Sequence, residues 1–298
     1  MKKNILLLLL AFMISVPVLC QNWFTSFEVA KRMALVQDKM LFVMWEGSLK
    51  YPYYVLVKNN RGKLILVDLK MNEDINEKIW EFFVPLLLPE DAYGDFLDDV
   101  EDIANLTYMQ KLQDDSIKIM DVNGRILNVK YSSMYTENLS TMIDLYALNT
   151  AYINPFLRNY REEANFNTTL ALASKYLDFA IFAKSDRMRA AIVRLSGLYL
   201  KEAKNYIAQE DENKKHTHLQ KLALQEIKSA LISSHPRKAR RLLKKYKLSD
   251  IDPPNKGLFS FLNYATFTIL SDKKASESWK KEINASQLRK ANLIVNIN

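Results

Sequence analysis

Three histidines, one cysteine and two runs of like charge are the residues here that could carry chemistry. His216 and His218 lie two apart, a spacing that on a helix points the two rings to different sides. No cysteine or carboxylate pattern joins them or His235 to complete a metal set, so solvated surface histidines and no metal are expected. The acidic run is Glu90, Asp91, Asp95, Asp98, Asp99, Glu101 and Asp102. Its chemistry would be oxygen ligation of a cation, but the D-x-D-x-D-G spacing of a calcium loop is missing. Asp98, Asp99, Glu101 and Asp102 instead suit the first turn and exposed face of a helix, where carboxylates complement the macrodipole. The basic run is Arg237, Lys238, Arg240, Arg241, Lys244, Lys245 and Lys247, with Leu242, Leu243 and Tyr246 as a narrow apolar stripe. That pattern serves contact with phosphates, an anionic membrane surface or an acidic partner, or is a solvated helix face, the reading preferred here. For catalysis by a nucleophile there is no G-x-S-x-G, and no histidine lies before residue 216. With six glycines in the chain and no G-x-G-x-x-G or G-x-x-x-x-G-K, no phosphate loop is expected either.

The elements that must position these residues begin after residue 20. Lys2 and Lys3 precede a run of about 15 mostly apolar residues, short of the roughly 20 that span a bilayer. Residues 1–20 therefore read as a signal peptide, with Val18 and Cys20 small enough for the −3 and −1 subsites of a signal peptidase. An uncleaved anchor and lipid attachment at Cys20 are the alternatives. The mature chain then has no cysteine, hence no disulfide framework, and must be held together by burial. It is exported, periplasmic or secreted, which sets nucleic acid aside as a partner.

Charge divides the remaining chain. Residues 21–147 carry 13 Lys and Arg against 20 Asp and Glu, a net of −7, and residues 148–298 carry 27 against 14, a net of +13. This asymmetry places a domain boundary near residue 148. In the first part helix and strand signals alternate. Residues 26–37 read as an amphipathic helix behind a Ser26 N-cap, and residues 40–45 as a buried strand. Residues 53–57 and 63–69 form a hairpin around Gly62. A helix over 75–82, a buried strand over 83–88 and a helix over 96–112 follow. A second hairpin, 117–120 with 126–131, turns at Asp121-Val122-Asn123-Gly124, and a helix over 136–147 closes the part. The second part is all helical: 153–160, 170–183, 188–207, 219–233, 236–246, 258–270 and 275–295. Asp252-Pro253-Pro254-Asn255-Lys256-Gly257 breaks it. Helix pairs spaced by roughly 35–45 residues resemble tetratricopeptide stacking, without its consensus residues. The fold class expected is thus an α/β domain, a mixed sheet flanked by helices, followed by an all-α domain.

Trp23, Phe27, Ala30, Ala34, Lys39, Leu41 and Val43, then residues 75–88, then the D-x-N-G turn within residues 117–127, together resemble the exported thioredoxin-like proteins of Gram-negative bacteria. The resemblance covers residues 22–147. It implies a thioredoxin-like domain over 21–147 and a separate helical domain over 148–298. It also implies a C-x-x-C at the start of a helix after the first core strand, where the helix terminus lowers a thiol pKa, and a cis-proline before the late hairpin. Matching Pro52 to the proline inside that motif puts Lys50 and Tyr53 where the cysteines would be. Counting back from Gly124 puts Asp115, followed by Ser116, where the cis-proline would be. The redox chemistry is therefore absent, with no cofactor and no catalytic residue. The function expected is a non-catalytic binding or scaffold protein of the bacterial envelope, with an envelope protein as partner and peripheral membrane contact through the basic surface as an option. Two other readings stand beside it: a non-redox enzyme in which Lys50, Tyr53 and Asp115 reuse the cleft for acid–base work, and a helical-repeat interaction protein with the first part as a cap.

Overall fold

A computed structural model describes residues 22–129, 136–208 and 210–298 of the chain. Cys20 and the rest of the expected signal peptide lie outside the described residues, as do Lys130 and Tyr131 of the second hairpin. The strands are β1 (Met40–Trp45), β2 (Tyr54–Lys58), β3 (Leu64–Asp68), β4 (Phe83–Leu88) and β5 (Lys118–Met120). The helices of the first part are α1 (Phe27–Gln37), α2 (Glu73–Phe82), α3 (Ala92–Asp98), α4 (Leu106–Gln113) and α5 (Leu139–Tyr146). Those of the second part are α6 (Asn154–Glu162), α7 (Phe166–Ala180), α8 (Asp186–Ile207), α9 (Glu212–Ile232), α10 (Pro236–Leu243), α11 (Lys256–Ile269), α12 (Lys273–Lys280) and α13 (Ala285–Asn296). The molecule is about 60% helical, with a small mixed sheet near the N-terminus and a helical C-terminal region.

β1 is the centre of the main sheet. Its sequence MLFVMW is apolar at every position because both faces are covered, as in the inner strands of layered α/β proteins. β4 pairs with it in parallel and β5 antiparallel, giving the order β4-β1-β5. Single bridges extend this sheet at both edges, Phe24 to Leu86 in parallel and Met120 to Ile126 antiparallel. β2 and β3 form a separate hairpin around Gly62, whose φ of +74° suits a residue without Cβ. Leu56 ties that hairpin to the start of α5 by donating its N–H to the Glu137 carbonyl at 2.8 Å.

Several elements differ from the sequence reading. Ser26 stands at the N-cap of α1 but its side chain makes no capping bond. The helix expected over 96–112 is two helices, because the Asn105 side chain accepts from the Tyr108 N–H at 3.0 Å and starts α4 afresh. Asp98 thereby becomes the last residue of α3, and Asp99, Glu101 and Asp102 fall in the loop beyond it. The first-turn explanation of these carboxylates is overturned: they follow a helix C-terminus, the negative end of the macrodipole. The helix expected over 275–295 is likewise split, by an Asn284–Gln287 capping box that starts α13.

Among the described residues no strand occurs after residue 148, and from α7 to α12 each helix packs on the one before it. The two parts share one continuous apolar core. Polar bonds also cross the boundary. Asp38, in the left-handed region at φ 53° after α1, accepts from the Thr150 N–H at 2.8 Å and from the Asn154 side chain. Lys201 of α8 donates to the Ile103 carbonyl at 2.7 Å.

Candidate functional site

The sheet presents the C-terminal end of β1 beside the N-terminal end of β5, and the residues that the resemblance would place at a redox site lie there. After β1 the chain makes a 3₁₀ turn, Glu46–Lys50. The Trp45 indole packs over Gly47, where a Cβ would come within 2.4 Å of the ring and have to displace it. Lys50 and Pro52 are exposed, and Pro52 leads into the β2–β3 hairpin rather than into a helix. Asp115 is exposed, and its carbonyl accepts from the Ser48 hydroxyl at 3.4 Å. So the 3₁₀ turn and the loop before β5 do face each other, but Lys50 and Asp115 form no ion pair among the described residues. No cis peptide occurs there either.

What occupies this end is a closed polar network. The half-buried Tyr53 hydroxyl donates to Glu137 Oε2 at 2.7 Å, and the Ile117 N–H donates to the same oxygen at 2.9 Å. Lys111 Nζ lies 3.7 Å from Glu137 Oε1 and donates to the Ser116 hydroxyl. Ser116 in turn bonds the Asp114 carboxylate through both its N–H and its hydroxyl. Lys118, on β5, is fully enclosed. Its ammonium donates to the Asp114 carbonyl and, at 3.0 Å, to the Ser116 carbonyl, and lies 3.4 Å from Asp114 Oδ1. Burial, opposed in part by the Asp114 charge, lowers the Lys118 pKa from 10.5 to about 8. Burial, with the Glu137 charge adding to it, pushes the Tyr53 phenol well above its ordinary value. A phenol so raised stays a hydrogen-bond donor, and an amine with no exposed surface meets no substrate without opening of the fold. The chemistry of this end is therefore cohesion of the loop before β5.

A second polar assembly joins the D-x-N-G turn to the helices. Asp121 is buried, and its Oδ1 accepts from the N–H groups of Asn123 at 2.9 Å and Arg125 at 3.0 Å, an Asx-type turn. Its Oδ2 accepts from Tyr199 at 2.5 Å and Tyr176 at 2.9 Å, two stacked rings of α8 and α7. Burial raises the Asp121 pKa despite these four donors. Asn123 Nδ2 donates to the Tyr199 oxygen at 2.9 Å. Beside them Arg125 Nη2 meets Glu202 Oε2 at 3.3 Å, and Tyr160 donates to Glu202 Oε1 at 2.6 Å.

The other candidates separate. His216 is exposed and faces Asp252 at 3.0 Å, as a surface histidine would. His218 is not solvated as expected: its ring stacks on Phe166 at 3.9 Å between centroids and contacts Glu210. The expected helix began at residue 219, whereas α9 begins at Glu212 and includes both histidines, turning His218 inward and His216 to solvent. Among the described residues no cluster of three or more His, Cys, Asp or Glu could hold a metal ion. Arg237, Lys238, Arg240, Arg241, Lys244, Lys245 and Lys247 are all exposed, on α10 and just beyond it, and none of them forms an ion pair among the described residues. Ala239 and Leu243 are the buried residues that hold α10 to the bundle. No helix among the described residues is long and apolar enough to cross a membrane.

Comparison of the chain with models of known protein families, with curated proteins and with solved structures finds no match. Sequence reasoning missed Lys111, Asp114, Lys118 and Glu137, and the Asp121–Tyr176–Tyr199 joint. One signal was legible: Lys118 interrupts the apolar strand Ile117-Lys118-Ile119-Met120, and a lysine within an apolar, buried strand must find acceptors. The tyrosine partners of Asp121, 55 and 78 residues further on, carry no local signal.

Proposed function

We propose that this chain is an exported thioredoxin-like protein without redox chemistry, working as a binding or scaffold module of the bacterial envelope. The observation that carries the reading is the network at the end of β1 and β5. Where the resemblance implies two thiols and a cis-proline stand Lys50, Tyr53 and Asp115, with Tyr53 tied to Glu137. A mixed sheet with a late D-x-N-G turn supports the thioredoxin-like part. Seven exposed cations on and just beyond α10, without ion-pair partners among the described residues, support the binding part, since a surface held at that charge attracts an anionic partner, whether an envelope protein or a membrane surface.

The test is a disulfide-reduction and thiol-oxidation assay on the purified chain from Gln21, with capture from envelope extract on the same protein immobilised. No turnover is expected, together with a captured partner that is lost from Arg237→Glu/Arg241→Glu/Lys245→Glu. Turnover that persists through purification overturns the reading, as does capture unaffected by the charge reversals. Export itself is checked by cell fractionation, in which a cytoplasmic location overturns it.

A further inference from the structure

β3 is an edge strand that the fold leaves open. Among the described residues it pairs with β2 alone. β2 is covered on its far side, where the Leu56 N–H donates to the Glu137 carbonyl at 2.8 Å and the Lys58 N–H to the Ser140 hydroxyl at 2.9 Å. The phase of the ladder fixes which groups of β3 face outwards. The Asn59 N–H donates to the Lys63 carbonyl at 2.9 Å and the Leu69 N–H to the Tyr53 carbonyl at 2.8 Å, so the odd-numbered residues of β3 bond β2. Leu64, Leu66 and Asp68 therefore turn their N–H and C=O groups to the open edge.

The side chains at that edge are apolar and open to solvent. Leu64 is 42% exposed and Leu66 57%, and they share the outer face of the hairpin with Leu56 and the exposed Tyr54. The strand itself, LILVD, holds no proline and no lysine, the usual protection of an edge. An edge of this kind is a template for another strand.

Charge and register select that strand. At the tip of the hairpin Lys58, Arg61 and Lys63 are exposed and form no ion pair among the described residues, while Asp68 stands at the other end. Two copies of β3 laid antiparallel about a two-fold axis at Leu66 bring each cationic tip beside the Asp68 of the other copy. Leu66 then faces its own counterpart and Leu64 faces Asp68, so all three outward-turned residues fall in hydrogen-bonded pairs. Across the outer face the central row becomes Leu56 and Leu66 of one copy against Leu66 and Leu56 of the other. Each flanking row sets Lys58 of one copy and Asp68 of the other on either side of Leu64. A parallel arrangement would instead set the two cationic tips together. We infer that β3 is the interface of a homodimer, in which two hairpins join edge to edge into one four-stranded antiparallel sheet. The contact is isologous, the same surface on both copies. It lies apart from α10 and does not depend on the function proposed above.

The experiment is sedimentation velocity of the purified chain from Gln21, over about 1–300 µM. One strand from each copy makes a small interface, so a monomer–dimer equilibrium with a Kd on the order of 10 µM is expected. Leu66→Lys places two ammonium groups at the axis and should weaken the dimer at least about tenfold. Its unfolding midpoint should stay that of the parent, because the side chain is exposed. Register is read by cross-linking, since the chain from Gln21 has no cysteine of its own. Facing residues of a bonded pair have Cα atoms about 5.5 Å apart, within reach of a disulfide. Oxidised Leu66→Cys should therefore become a covalent dimer, whereas Leu64→Cys, about 14 Å along the strand from its counterpart, should link far more slowly. A chain that stays monomeric at about 300 µM overturns the inference and leaves the edge to a strand of another protein. So does a Leu66→Lys variant that dimerises as well as the parent, or equal linking of the two cysteine variants.

Discussion

Asp121→Ala tests how the first part of the chain is joined to the helices. The carboxylate receives four donors, the hydroxyls of Tyr176 and Tyr199 and the N–H groups of Asn123 and Arg125, over 2.5–3.0 Å. Removing it strands all four in a closed space. A hydrogen bond contributes about 1 kcal/mol net, so the gross loss is about 4 kcal/mol. Relief works the other way, because burial holds the Asp121 pKa above its ordinary value and the ionised form is itself costly there. The net loss expected is about 2–4 kcal/mol. Tyr199→Phe alone should cost about 1–2 kcal/mol, since it deletes a donor to Asp121 and an acceptor for Asn123. The two changes act on one bond, so the double variant should lose less than their sum, with a coupling of about 1 kcal/mol or more. Urea unfolding followed by near-ultraviolet circular dichroism measures all three, with the slope m checking that the transition stays two-state. A loss under about 1 kcal/mol for Asp121→Ala, or additive losses within about 0.3 kcal/mol, would refute the assignment of this joint.

Other perturbations follow the same logic. Lys118 has a folded pKa of about 8 against an ordinary 10.5, so the folded state sheds its proton first and stability rises with pH between those values. The difference is on the order of 3 kcal/mol at most; urea unfolding at intervals across that window should show a slope that Lys118→Met removes, and an identical slope in the variant would contradict the burial of this charge. Gly124 takes φ +77°, and a Cβ there would lie 2.4 Å from the Phe96 ring. Gly124→Ala should therefore cost about 2 kcal/mol or more by thermal or urea unfolding, and a neutral effect would mean that the turn is not built as described. In the helical part Lys228 is buried 2.7 Å from Asp178, which Lys290 also meets at 2.8 Å. Lys228→Met should cost about 2–4 kcal/mol at neutral pH by leaving Asp178 with one cation, and adding Asp178→Leu should restore much of it. A double variant no more stable than the single one would show that the charge is not what the single change uncovers.

Local chemistry made much of the fold legible. The run Met40 to Trp45 reads as an inner strand because every residue is apolar, and it is one. Residues 83–88, the Gly62 hairpin and the D-x-N-G turn were legible because short-range sterics fix turns. The basic segment was legible as an exposed surface, and its cations are exposed. The helix over 96–112 was misread because apolar residues keep the helical period straight through the break. Only the Asn105 cap and the burial of Val100 and Ile103 between α3 and α4 stop it. His218 was misread because its neighbours in sequence are polar while its neighbour in space is Phe166.

The sequence by itself determined what chemistry is missing. A chain whose one cysteine is Cys20 has no thiol pair to exchange, whatever its fold. It also determined an acidic first part and a basic, helical second part, because composition and periodicity are local properties. Only the tertiary structure decided the polar network at the end of β1 and β5, since Tyr53 reaches Glu137 across 84 residues and Lys118 is enclosed by packing that no window of sequence contains. The fate of the acidic run was decided there too. Its charges are the same in either conformation, but only the folding of α6 and α8 against the loop after α3 turns them into the wall of a cavity.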